Sequence, residues 1–200
     1  MNYEKKKYVY LAVCLIAGSL MLEGISLIAL QIICKNIMSN AVNVATIAIS
    51  IIIASIIFPS IMMKKRCNAS MSELGLVYQP VITTLLIVGT LSTLIVILCY
   101  HFQMLTILII LQNIFVASGE EFVARGCLFF LLRKILKNEI AVILVSTLIF
   151  VFIFHSNSGL SDNLIWRLPI TIVLALLYSK TRSIVNTGLV HLTYNVIVSV

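Results

Sequence analysis

The sequence predicts an all-α fold: a polytopic transmembrane helix bundle of about seven spans, with six and eight left open. Composition is the first ground. Of the 200 residues, 61% are apolar and only 10% are charged. Mean hydropathy is +1.13, whereas a soluble globular chain carries about 25% charged residues. Such a chain has no polar coat to turn toward water, so the lipid bilayer is its solvent. Length is the second ground, because several apolar runs reach the ~20 residues that cross a ~30 Å hydrocarbon core as a helix. Charge placement is the third. The net charge of +7 gathers in short clusters between the apolar runs, as in membrane-flanking loops. It is not spread over a face of the kind nucleic acid would need, which excludes nucleic acid as a partner.

In order, the runs are 8–34, 41–63, 80–101, 104–132, 139–155, 163–180 and 183–200. The first follows Lys5 to Lys7 and begins like a signal peptide. It far exceeds the roughly 7–15 residues of a signal h-region and has no small-x-small cleavage site, so it reads as an uncleaved span. The fourth is long enough to tilt or break, and the last three are short. Basic clusters stand before the first run and after the second (Lys64 to Arg66), the fourth (Arg133, Lys134, Lys137) and the sixth (Lys180, Arg182). The alternate connections carry only Lys35, then His101-Phe102-Gln103, then Ser156 to Asp162 without a basic residue. This alternation predicts a multi-pass protein of the cell membrane with a cytoplasmic amino terminus and an outer carboxy terminus. The one substantial connection, 64–79, reads as a short interfacial segment on the cytoplasmic side. Trp166, Arg167 and Pro169 open the sixth run as an interfacial anchor. The five cysteines show no metal-finger spacing and read as small apolar packing residues.

Ionisable side chains inside spans are costly, so they face the bundle interior and mark function. They concentrate in the second half of this chain: Glu120, Glu121 and Arg125 in the fourth run, His155 closing the fifth, His191 and Asn195 in the seventh. The first run carries only Glu23. Glu121 and Arg125 are four apart and share a helix face. Glu120 is rotated by about 100° from Glu121 and points elsewhere. His191 and Asn195 again share a face. At 1.5 Å per residue, Glu120 and Asn195 lie roughly 20 Å, His191 roughly 14 Å and His155 roughly 25 Å above their cytoplasmic ends. Helix tilt can bring such depths together. A polar network that merely glues helices is the competing reading, but a Ser or Thr would serve that purpose more cheaply.

The segment Glu120-Glu121-Phe122-Val123-Ala124-Arg125-Gly126 resembles the EExxxR-G signature of the CPBP intramembrane proteases, the family of CAAX prenyl endopeptidases and Abi proteins. His191-Leu192-Thr193-Tyr194-Asn195 is similar to the family's HxxxN motif, and His155 occupies the place of the FxxxH histidine. Ser72-Glu73-Leu74-Gly75-Leu76 resembles a stretch often found upstream. The resemblance covers about 70–200, so it implies N-terminal transmembrane helices over 1–69 and a CAAX-protease-like catalytic core over 70–200. One departure stands out: Val151, flanked by Phe150 and Phe152, sits where the family has phenylalanine.

What the resemblance implies is hydrolysis of peptide bonds. Glu120 is the expected general base, polarising a water together with His155. Glu121 and Arg125 are the supporting ion pair, and His191 and Asn195 hold the oxyanion. A site without cofactor is the favoured expectation. A divalent metal such as zinc is left open, with Glu120, His155 and His191 as its ligands. The expected substrate is a membrane-embedded or membrane-associated peptide or protein. Because the Ile-, Asn- and Lys-rich composition is of bacterial type, the expected setting is bacteriocin self-immunity or peptide processing rather than prenyl-CAAX cleavage. Two rivals remain at this stage. One is a non-catalytic immunity or scaffold protein. The other is a transporter with a proton relay, which the lack of related halves disfavours.

Overall fold

The computed structural model describes residues 3–37 and 39–200. Among them there is no strand, and each apolar run becomes a helix: α1 Tyr3–Ile33, α2 Asn40–Cys67, α3 Pro80–Tyr100, α4 Met104–Ile135, α5 Glu139–Phe154, α6 Leu160–Thr181 and α7 Ile184–Ser199. Five of the seven, all but α5 and α7, are long and apolar enough to cross a membrane unaided. The chain is a multi-pass membrane protein.

The ends of the helices follow from local chemistry. Ser39, Asn138 and Ser183 cap α2, α5 and α7 by accepting from the backbone N–H groups of Val42, Ile140 and Asn186, which satisfies donors left unpaired in a first turn. Asn68 (φ 50°) and Arg182 (φ 55°) close α2 and α6 in the left-handed conformation, a normal helix stop. Two internal prolines are accommodated by wide π turns placed just before them. Ile52–Ile57 precedes Pro59 and Asn163–Arg167 precedes Pro169. The wider turn takes up a ring that lacks an N–H and would crowd the preceding turn. Two further π turns, Phe122–Leu128 in α4 and Phe150–Phe154 in α5, have no proline after them.

Helix α4 is the axis of the bundle. It packs against α1, α2, α5 and α7, while α6 pairs with α5 and α7, and α3 leans on α7. The densest packing lies toward the basic end, where Leu15 of α1, Met63 of α2, Leu128 and Phe129 of α4 and Tyr178 of α6 are all buried in one cluster. The α3–α7 seam is polar. Thr83 donates to Asn186 Oδ1 at 2.7 Å, and the hydroxyls of Thr90 and Thr193 lie 3.0 Å apart. Interhelical hydrogen bonds of this kind join helices where lipid removes the hydrophobic drive.

The 68–79 segment is a folded turn and not a helix. Ser70 donates both its backbone N–H and its hydroxyl to Glu73, each at 2.8 Å, which holds the Glu73 carboxyl below its ordinary value. Gly75, at φ +87°, permits the reversal, and its carbonyl accepts from Ile184 N–H at 2.9 Å. A Cβ on Gly126 would stand 2.8 Å from the Leu74 carbonyl oxygen. The glycine that ends the EExxxR-G stretch is therefore the point where this turn docks on α4.

Candidate active site

Glu120 and Glu121 end the regular part of α4, immediately before its proline-free π turn. Being successive on a helix they diverge, and burial separates their tasks. Glu121 is 1% exposed and Glu120 25%. Glu121 faces inward and bridges two cations or potential cations: its Oε2 is 3.5 Å from Arg125 Nε, and its Oε1 is 3.0 Å from His191 Nδ1. Arg125 is fully buried, donates through Nη2 to the Thr171 carbonyl at 3.3 Å and lies over the Phe150 ring at 5.2 Å. Arg125 thus ties α4 to both α5 and α6.

Glu120 faces a cavity of about 800 Å³. Its Oε2 lies 3.6 Å from His191 Nε2 and 3.9 Å from His155 Nε2. Asn195, one turn beyond His191, lines the same cavity. All six residues singled out by their place in the sequence therefore meet in one region, Glu120, His155, His191 and Asn195 at the cavity and Glu121 with Arg125 behind them. Both Glu120–imidazole separations exceed hydrogen-bond length, and polar groups so spaced commonly share a water.

The carboxylate behind His191 fixes its ring. When Nδ1 donates its proton to Glu121, Nε2 is left facing Glu120 and the cavity, as in other histidines oriented by a carboxylate on the second nitrogen. Nε2 can then accept a proton from the cavity side. It can donate to an oxyanion only when the ring carries both protons.

Two contributors are not apparent from the motifs. Phe150 packs edge-on against His155 with centroids 4.9 Å apart and planes at 80°, and against His191 at 6.5 Å and 77°. It fills the aromatic role for which Val151 stands in the sequence. Asn163, buried in α6, donates to the His155 carbonyl at 3.1 Å and accepts from Arg167 Nη1 at 3.2 Å. It clasps the end of α5 to the start of α6. A polar residue placed just before the proline-bearing turn of a span was its only sequence signal. Arg167 and Trp166, expected as an interfacial anchor, line the cavity mouth.

The donor set Glu120, His155 and His191 can be tested against zinc. Zn–N and Zn–O bonds of about 2.0–2.1 Å in a tetrahedron bring ligand atoms within roughly 3.4 Å of each other. The Glu120 oxygen stands farther than that from both imidazoles. Among the described residues, no three His, Cys, Asp or Glu side chains form a metal-binding group. As they stand, the Glu120 oxygen is set slightly wider from the two imidazoles than a tetrahedral zinc would draw it, and no step below is routed through a metal.

Residues 102–197 match the family model described as type II CAAX prenyl endopeptidase, Rce1-like. No curated protein and no solved structure matches the chain. The matched stretch takes in nearly all of α4 to α7, and with them every residue of the constellation around Glu120. Over residues 102–197, the chain is similar to the CAAX-protease (CPBP) family.

Proposed function

We propose that the protein is an intramembrane endopeptidase in which Glu120 activates a water for attack on a peptide bond. The observation that carries this reading is one carboxylate oxygen facing two imidazoles, at 3.6 and 3.9 Å, inside a cavity large enough for a peptide segment. Glu120 takes the proton of a water that His155 orients. The hydroxide attacks the carbonyl carbon, and the charge that develops on oxygen is met by Asn195 and by His191 in its doubly protonated form. Losing one such donor costs about 3–4 kcal/mol of transition-state stabilisation. The proton held by Glu120 then passes to the leaving amine. Glu121 and Arg125 touch no substrate and hold His191 and α4 in place. The catalytic core comprises 70–200, with 1–69 as N-terminal helices.

The substrate is a membrane-embedded or membrane-associated polypeptide, in a setting of peptide processing or bacteriocin immunity. The cavity includes Asn157 to Gly159 of the α5–α6 connection, at the end of the bundle remote from the basic clusters. With the basic clusters in the cytoplasm, substrate reaches Glu120 from the outer side of the cell membrane. A second reading, cleavage of a prenylated CAAX tail, is favoured by the description of the matched family.

Comparative peptidomics of cells carrying wild-type protein or Glu120→Gln tests activity and substrate together. The expected result is a set of membrane-derived fragments that vanish in the variant at equal protein level. An unmodified C-terminal tripeptide released from behind a prenylated cysteine would select the second reading. Identical peptidomes would contradict catalysis and leave a non-catalytic immunity or scaffold role. With purified protein, an excess of chelator is expected to leave cleavage unchanged, and inhibition reversed by zinc would overturn the metal-free mechanism.

A further inference from the structure

A second cavity, of about 420 Å³, lies on the other side of the α4–α7 pair. It is enclosed by α2, the 70–76 turn, α4 and α7, and shares no lining residue with the cavity at Glu120. Its lining is apolar apart from Ser60 and Ser118. Met71, Leu76 and Ile114, at its lip, are among the exposed large hydrophobic residues of the chain. An apolar cavity of this kind does not hold water. With α2 and α4 long and apolar enough to span a bilayer, its exposed apolar lip faces lipid, and hydrocarbon suits it better than water. An apolar cavity of about 150 Å³ accommodates the six carbons of benzene, so this one has room in proportion for ~17 carbons. Its lining runs from the interfacial turn to Leu192, about 12 Å along α7 at 1.5 Å per residue. That depth is close to one leaflet of a ~30 Å core. Capacity and depth both match a single fatty-acyl chain.

The mouth supplies the head-group end. Ser60 lines the cavity, and Lys64 follows it by four residues, on the same face of α2 and one turn nearer the water. Lys64 is exposed and makes no ion pair among the described residues, with Lys65 and Arg66 exposed beside it. The neighbouring carboxylate, Glu73, is engaged by Ser70. After the Ser70 hydrogen bonds, Lys64 also helps hold the Glu73 carboxyl low, but it forms no ion pair among the described residues, and a cation so placed, one turn beyond an acyl-sized slot, fits a phosphate ester.

We propose that this cavity is a binding site for one anionic glycerophospholipid. One acyl chain lies between α2, α4 and α7, and the phosphate sits on Lys64. The lipid backs the α4–α7 pair that carries Glu121 and His191, and is a resident of the fold rather than a substrate.

The test is native mass spectrometry of the full chain released from nanodiscs made of equal phosphatidylglycerol and phosphatidylcholine. Wild-type protein is expected to retain one phosphatidylglycerol. Gly188 lines the cavity, and a Cβ placed there meets nothing within 4 Å, so Gly188→Leu is expected to fill the space and lose the lipid. Lys64→Ala is expected to keep a lipid but to lower the preference for phosphatidylglycerol about fivefold, the effect of one cation near an anionic head group. A wild-type chain without retained lipid, or a Gly188→Leu chain of normal thermal stability that retains as much, would overturn the site. If Gly188→Leu does not fold, Lys64→Ala alone decides, and an unchanged lipid preference would refute the head-group contact. None of these readouts depends on peptide cleavage, so the site can fail while the protease reading stands, and the reverse.

Discussion

Arg125 has no exposure at all, and its charge is answered by Glu121 at 3.5 Å, the Thr171 carbonyl at 3.3 Å and the face of Phe150. Removing one member of such a buried pair leaves the other charge without compensation, at a cost of about 3–5 kcal/mol, whereas replacing both with apolar groups of similar volume is often neutral. Arg125→Met is therefore expected to lower the melting temperature in detergent markedly, and Arg125→Met with Glu121→Leu to recover much of the loss. The double variant should stay inactive despite its recovered stability, because His191 loses the Glu121 carboxylate that orients it. Recovery of cleavage in the double variant would show that Glu121 does not position His191. These residues were legible in the sequence because carboxylates and guanidinium groups in apolar runs carry a physical cost that packing alone does not repay. What each one touches was less legible. Glu121 and Arg125 announce their pairing by spacing, while the Glu121–His191 contact joins positions 70 apart in the chain.

The π turns decide what the helical elements present to the site. In a regular α-helix the residue four before His155 shares its face, and that residue is Val151. The π turn over Phe150–Phe154 takes one more residue per turn, so Phe150, five before, arrives at that place. Sequence spacing alone misassigns this position, because a one-residue insertion into a helix leaves no compositional trace without a proline to mark it. Val151 is fully buried. Val151→Phe restores the family spacing on paper, yet it is expected to overpack α5 at a cost of about 1–3 kcal/mol without raising cleavage. Phe150→Ala, which empties the space beside both imidazoles, is expected to cost about 3–5 kcal/mol and to reduce turnover. Thermal unfolding together with peptide cleavage checks both. Higher turnover in Val151→Phe would show that the π turn is not the device that aligns this helix.

Across the whole molecule, the bundle sorts its contents by depth. The large buried side chains Phe129, Tyr178, Met63 and Leu15 crowd the basic end, and the polar cavity opens at the other. The number and order of helices were legible because the length needed to cross a bilayer is fixed by the bilayer, and the clusters of Lys and Arg mark alternate ends. The 68–79 turn was less so. Its fold depends on Gly75 and on docking against Gly126, contacts that no local pattern encodes. The orientation proposed above predicts that, in a cysteine-free background, Ser161→Cys is labelled in intact cells by a membrane-impermeant maleimide. Lys65→Cys should be labelled only after lysis, and the reverse pattern would place the cavity on the cytoplasmic side.

Groups that act together on one water lose their effect together, so their deletions do not multiply. The direct measurement is single-turnover cleavage of a peptide found by peptidomics, for Glu120→Gln, His155→Ala and the two combined, each at equal insertion and thermal stability. Each single change is expected to slow the chemical step by about 10²–10⁴-fold, and the combined variant to be no slower than the worse of the two. Losses that multiply, or a Glu120→Gln protein that still cleaves at the wild-type rate, would contradict a shared water between Glu120 and His155.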